Sequence, residues 1–288
     1  MLLGERSVAP YRFRHGSGVL LVSMPHAGTF VPHSVGRCFT DAAALRCDTD
    51  WHMPRLYDFL ETLDASVIVA NYSRYVIDVN RPPGGENLYP GRETPLLCPL
   101  DTFDRRPLYR EGCEPDAAEI ARRVDGIWKA YHGRLARELE RIRSLHGIAL
   151  LWDAHSIVSH APRLFEGRLP DFNLGTAEDA SCDPRLSTEL LSALGKHSPH
   201  TAVLNGRFKG GYITRRFGRP HEGVHAVQLE MAQSLYMDET PPYAFREDLA
   251  TRVRPILHEQ LSIARDWAVA AGPAAAARGP TGNRAVSS

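Results

Sequence analysis

Three apolar runs limit what this chain can become: "VLLVS" (residues 19–23), "ASVIVAN" (65–71) and "IALLW" (148–152). Each is short, continuous rather than alternating, and the second is rich in β-branched residues, which is how strands covered on both faces read. Helix-like stretches separate them. In "MPRLYDFLETLD" (53–64), Leu56, Phe59, Leu60 and Leu63 fall at i, i+3, i+4 and i+7, one face of a helix. The long segment 116–147 reads as helix with Gly147 as its stop. Residues 182–198 predict another helix, "TAVLNG" (201–206) a short strand, and "HAVQLEMAQSLYM" (225–237) a strand running into a turn. The segment 246–271 predicts a helix interrupted near Pro255. This alternation predicts a three-layer α/β/α sandwich around a largely parallel sheet. Residues 1–270 form a single catalytic domain on this reading, and 271–288, rich in Gly, Pro and small residues, a disordered tail.

In folds of this kind the ligand site lies at the carboxyl ends of the strands. Polar residues interrupt the apolar runs at those places: His26 in "SMPHAG", Asp153 and His155 in "LLWDAHS", and Glu230 after "VHAVQL". Two histidines delivered to one sheet edge, plus a carboxylate, suffice chemically for a catalytic zinc site. The loop "CDTDWH" (47–52) offers Asp48, Asp50 and His52, although Asp50 could equally cap the following helix. A carboxylate emerging from an apolar strand, as Glu230 does, is desolvated and suited to general-base work; pairing with Arg215, Arg216 or Arg219 is the competing role. "SRYVIDVNRPP" places Asn80 and Arg81 before a Pro/Gly turn, an arrangement that can hold an anion through a guanidinium fork beside an amide, or simply tie Asp78 to Arg74 or Arg81. "FKGGYITRRFG" (208–218) reads slightly better as a turn than as a lid bringing Lys209, Thr214 and Arg215 to a ligand.

The composition excludes several classes. With 34 basic and 34 acidic residues, no global field favours nucleic acid or an anionic membrane. Five scattered cysteines make neither a disulfide framework nor a thiolate metal site. No stretch reads as a signal peptide or a membrane span, so a cytoplasmic protein with reduced thiols is expected. Nucleophile-elbow, P-loop and dinucleotide fingerprints are absent. Ser156 directly follows His155, so on a strand the two side chains diverge and do not make a nucleophile–base pair.

Taken in order, "SMPHAGTFVP", "CDTDWHMPRLYDF", "SRYVIDVNRPP", "LLWDAHS", "NGRFKGGYITRRFG" and "GVHAVQLEM" resemble the N-formylglutamate amidohydrolase (N-formylglutamate deformylase) family from about residue 10 to about 260. That family is related to zinc carboxypeptidases and aspartoacylases, with their three-layer α/β/α fold. The resemblance implies hydrolysis of N-formyl-L-glutamate to L-glutamate and formate in histidine breakdown. It implies one Zn2+ per chain, or another divalent metal in its place, on His26 and His155. The wider group's His-x-x-Glu pair is lacking, because Thr29 stands three residues after His26. The third ligand is then expected from Asp50, with Asp48 behind it. By position, Asn80 and Arg81 resemble the carboxylate clamp, Arg74 the arginine that polarises the scissile carbonyl, and Glu230 the base. The second substrate carboxylate needs another cation, for which Arg163, Arg168, Lys209 and Arg215 are candidates. A hydrolase of another N-acyl amino acid or small carboxylated amide, and a non-catalytic carboxylate-binding protein, are the competing readings.

Overall fold

The computed structural model describes residues 8–87, 91 and 94–276, with side chains to residue 272. Seven strands form one sheet: β1 (Tyr11–Arg14), β2 (Leu20–Met24), β3 (Ser66–Ala70), β4 (Ala149–Ile157), β5 (Phe172–Gly175), β6 (Ala202–Leu204) and β7 (Val224–Ala232). Their order is β1-β3-β2-β4-β7-β5-β6. The pairs β3/β2, β2/β4, β4/β7 and β5/β6 are parallel, while β1 and β5 run antiparallel to β3 and β7. The sheet is therefore mixed and largely parallel, as expected. β2, β4 and β7 are buried along their whole length, which is why they read as near-continuous apolar runs.

Helices cover both faces. The helix Lys129–His146 buries Tyr131, Leu135, Leu139 and Ile142, and Tyr131 reaches Ser23 on β2 at 3.1 Å. On the other face the indole of Trp152 reaches Tyr57 at 3.5 Å, and His225 of β7 packs against Trp267 of the long C-terminal helix. Full burial of a side chain such as Leu20, Leu21 or Leu151 contributes about 1.5–3 kcal/mol each, so this central strand set anchors the site above it.

Several local expectations need correction. The helix expected over 53–64 is a short α-helix, Met53–Leu56, followed by a 3-10 turn, Asp58–Leu63; it is entered through His52 in the left-handed region (φ 60°). The segment 116–147 is helical from Ala117 to His146 but contains a π-turn at Val124–Trp128, with Gly147 (φ 75°) as its stop. Pro255 does not interrupt the last helix, which runs Glu247–Ala276; burial of Ala250, Val253, Leu257, Leu261 and Ala264 along one face outweighs one lost backbone bond. That helix also includes residues 271–276 of the expected tail, and 277–288 lie outside the described residues. The stretch 208–218 holds the helix Tyr212–Phe217, not only a turn, because Ile213, Thr214 and Phe217 are buried together. Strands β1 and β5 were not evident from the sequence: each has only four residues, and β1 carries two arginines at the sheet edge.

Candidate active site

The register of β4 on β7 pairs His155 with Glu230 and Asp153 with Gln228, so all four side chains leave the same face of two neighbouring parallel strands. β2 ends at Met24, and two residues later His26 turns over the same edge. The loop after it returns, and the amide of Asp50 donates to the carbonyl of His26 at 3.1 Å. Three donor atoms thereby converge. His155 Nδ1 lies 3.2 Å from His26 Nδ1 and 3.2 Å from Asp50 Oδ2, and His26 Nδ1 lies 3.7 Å from the same oxygen. All three residues are buried.

This triangle fits a metal ion. Ligand atoms about 2.0–2.1 Å from a tetrahedral zinc are separated by about 3.4 Å, close to the spacings here. The outer nitrogens support the same assignment. His26 Nε2 lies 2.7 Å from Asp78 Oδ1, and His155 Nε2 lies 3.0 Å from Asp153 Oδ2. Each carboxylate accepts a hydrogen bond from Nε2–H, which leaves Nδ1 as the nitrogen that would face a metal, the outer support typical of metal-bound histidines. Asp153 is itself held by the Ser23 hydroxyl at 3.0 Å. Asp48 is not part of the triangle. Its Oδ2 accepts from the amide of Phe103 at 2.9 Å, and His52 is turned away onto the carbonyl of Tyr243.

The charges around the triangle suit a cation held between these groups. Burial opposes a charge on His155, yet Asp153, Asp50 and Glu230 outweigh it and hold its pKa well above the usual histidine value. Burial and the neighbouring Arg74 keep His26 below that value despite Asp78. Asp78 stays ionised against burial because His26, Arg74 and Arg81 surround it. Burial lifts Glu230 to about 8, with His155 and Arg74 pulling down and Asp50 and Asp153 pushing up. A carboxyl with a pKa near neutrality can both accept and return a proton.

The cavity above the triangle is lined by His26, His155, Glu230, Arg74, Asn80 and Arg81, with Phe103, Leu164, Arg207 and Phe208 forming a further wall. Arg74 is buried, donates to Asp78 Oδ2 at 2.7 Å and lies over the Phe103 ring. Arg81 Nε stands 3.8 Å from Asp78 Oδ2. Asn80 is more committed than the sequence suggested: its Oδ1 accepts from the amide of Ile213 at 2.8 Å, and its Nδ2 lies 3.0 Å from His155 Nε2. Gly211 permits this, since a Cβ there would sit 2.4 Å from Asn80 Nδ2.

Two expected substrate contacts are not brought to the cavity. Lys209 is partly exposed and paired with Glu178 at 2.7 Å, and Arg215 donates to the carbonyl of Gly210 at 2.9 Å. Arg163 and Arg168 are likewise engaged with Asp101 and Asp171 and do not line it. Arg207, which the sequence pattern does not single out, does line it. Its only sequence signal is a cation directly after a short predicted strand. Ser156 diverges from His155 as expected, its hydroxyl meeting Tyr236 at 2.7 Å.

The chain is similar to known proteins of one family. A family model described as N-formylglutamate amidohydrolase matches residues 18–237. N-formylglutamate deformylases from Pseudomonas aeruginosa and Pseudomonas putida are 51% and 50% identical over 255 residues, covering 88% of this chain and 96% and 95% of theirs. The crystal structure of an N-formylglutamate amidohydrolase from Ralstonia eutropha JMP134 superposes with a TM-score of 0.75 at 26% identity, covering 89% of this chain and 97% of that one.

Proposed function

The chain belongs to the N-formylglutamate amidohydrolase family, and from that premise we propose that it hydrolyses N-formyl-L-glutamate to formate and L-glutamate. As the resemblance implies, the reaction would be a cytoplasmic step of histidine breakdown. The observation that carries the proposal is the convergence of His26 Nδ1, Asp50 Oδ2 and His155 Nδ1 beside Glu230 in a cavity lined with arginines. These three residues would hold a divalent metal, of which zinc suits the nitrogen and oxygen donors. Such an ion would supply Lewis acidity and a water of pKa about 7.

The chain's own groups do the rest. Glu230 takes a proton from the attacking water on a carboxylate oxygen and passes it to the nitrogen that leaves as the amine of glutamate. Burial raises the carboxyl's pKa, and a base raised in this way suits both transfers. Arg74, fixed by Asp78, presents a positive charge where the formyl oxygen gains negative charge. Arg81 holds a substrate carboxylate, and Asn80 fixes the position of that segment against the helix Tyr212–Phe217 by accepting from the amide of Ile213. The sheet and its covering helices act as one catalytic domain.

Formate release from N-formyl-L-glutamate, measured on the protein as isolated, after chelation and after zinc is restored, tests this reading. Activity that is lost on chelation and regained with zinc supports it. Release unaffected by complete metal removal overturns the metal assignment, and no release from the fully loaded protein overturns the substrate.

A further inference from the structure

N-formylglutamate has two carboxylates, and among the described residues three guanidinium groups line the cavity: Arg74, Arg81 and Arg207. Arg74 is committed to Asp78 and also donates to the carbonyl of Asp48. Arg81 follows Asn80, whose amide lies against His155, so Arg81 belongs to the metal-ligand corner. Arg207 enters from the other side, in the segment directly after β6. That strand is the last in the order β4-β7-β5-β6 and stands three places from the strand bearing His155. We propose that Arg207 reads the side-chain carboxylate of the substrate and makes the enzyme selective for glutamate. The proposal rests on the deformylase reading given above.

Substrate connectivity assigns the two carboxylates. The main-chain carboxylate sits on the carbon that bears the formamide nitrogen, so a formyl group at the metal corner keeps that carboxylate beside Arg81. The side-chain carboxylate lies two methylenes further out and reaches away from this corner, toward the β6 side. The surroundings of Arg207 strengthen the selection. Its Nε donates to the carbonyl of Leu164, and its guanidinium carbon lies 5.2 Å from the centre of the Phe208 ring. The planar group is thus held in place before substrate arrives, and less freedom is lost on binding. Phe103, Leu164 and Phe208 line the same wall and pack with Ile157 into a small apolar cluster. A carboxylate entering there loses water and regains it as a charge-assisted pair with the guanidinium, whereas a neutral amide loses water for a weaker bond.

The test compares kcat/KM for N-formyl-L-glutamate with that for N-formyl-L-glutamine, which has the same shape and no distal charge. The native enzyme is expected to favour the glutamate. Arg207→Gln should cut kcat/KM for N-formylglutamate by about 10–100-fold, chiefly through KM, and leave the glutamine compound little changed. Arg207→Lys should keep part of the preference. Equal losses on both substrates in Arg207→Gln and Arg207→Lys, or an unchanged preference in Arg207→Gln, overturn the proposal. The underlying reading fails in a different way, when the native metal-loaded enzyme releases no formate from either compound. In that case binding of glutarate to native and Arg207→Gln protein decides separately, with equal affinity counting against Arg207.

Discussion

His155 and Glu230 stand opposite one another on β4 and β7, and the sheet alone determines their separation. Asp50, which meets His155 Nδ1 at 3.2 Å, and Asn80, which lines the cavity, come from loops, and a different device holds them. The carbonyls on either side of Asp50 are gripped by side chains: Gln233 Nε2 donates to Thr49 O and Tyr236 Oη to Trp51 O, both at 2.9 Å. The carbonyls on either side of Asn80 are gripped likewise, by His132 Nε2 at Val79 O (2.8 Å) and Trp128 Nε1 at Arg81 O (2.9 Å). Strand residues inherit their precision from the ladder, whereas loop residues need their neighbouring peptide groups fixed one by one. Substitutions in the strand half should therefore change chemistry, and those in the loop supports should change position.

The largest effect is expected at Glu230. Glu230→Gln keeps the shape and removes the proton acceptor, so kcat for formate release should fall by about 10³-fold with KM and zinc content near native values. Steady-state kinetics and metal analysis on one preparation check this together. Near-native turnover would mean that the base is elsewhere and that the strand half supplies position only.

An intermediate effect separates the two carboxylates behind the histidines. Among the described residues Asp153 on β4 supports His155 and is held by Ser23, whereas Asp78 supports His26, Arg74 and the amide of Asn80. Asp153→Asn and Asp78→Asn should each weaken zinc by about 10–100-fold, measured by competition with a chelator. Asp78→Asn should also lower kcat, because Arg74 loses its anchor. Zinc affinity of the native protein should rise with pH, by about tenfold per unit for each proton displaced. The sign comes from His155, whose raised pKa keeps a proton on the site in competition with the metal. Equal kinetic profiles for the two variants would remove the distinction between strand and loop support.

The same contrast explains what could be read from the amino-acid order. His26, His155 and Glu230 were legible because buried strands announce themselves as apolar runs, and a charged residue at the end of one is conspicuous. Asp50 was legible as one of two carboxylates, and only the fold turned it inward and left Asp48 on the amide of Phe103. Lys209 and Arg215 pair with Glu178 and the carbonyl of Gly210, which the sequence could not show because spacing near paired glycines says nothing about which way a side chain points. Arg207 was missed for a related reason: β6 has three residues, too few to set a phase for the segment beyond its end. The grips were invisible as well. The π-turn at Val124–Trp128 shifts the helical phase, so no regular 3.6-residue pattern places Trp128 over Arg81.

The smallest effects should come from the grips themselves. Each hydrogen bond to a neighbouring carbonyl contributes about 0.5–1.5 kcal/mol, so removing one should change function by about 2–10-fold without unfolding the protein. Tyr236→Phe leaves the ring among its buried neighbours and frees the Trp51 carbonyl beside Asp50, together with the Ser156 hydroxyl. Its consequence should be weaker zinc binding with little change in KM at saturating metal. Trp128→Phe retains an aromatic ring stacked on His132, whose centroid lies 3.7 Å away, but frees the Arg81 carbonyl. Here KM for N-formylglutamate should rise, with kcat and zinc affinity moving less. His132 donates Nε2–H to Val79 O, and burial keeps the ring neutral by pushing its pKa down to about 4, so its state does not change near neutral pH. That grip should consequently persist throughout the neutral range. A Trp128→Phe enzyme that loses zinc, or a Tyr236→Phe enzyme that changes only KM, would show that the two loops move as one body and that their supports are not separate devices.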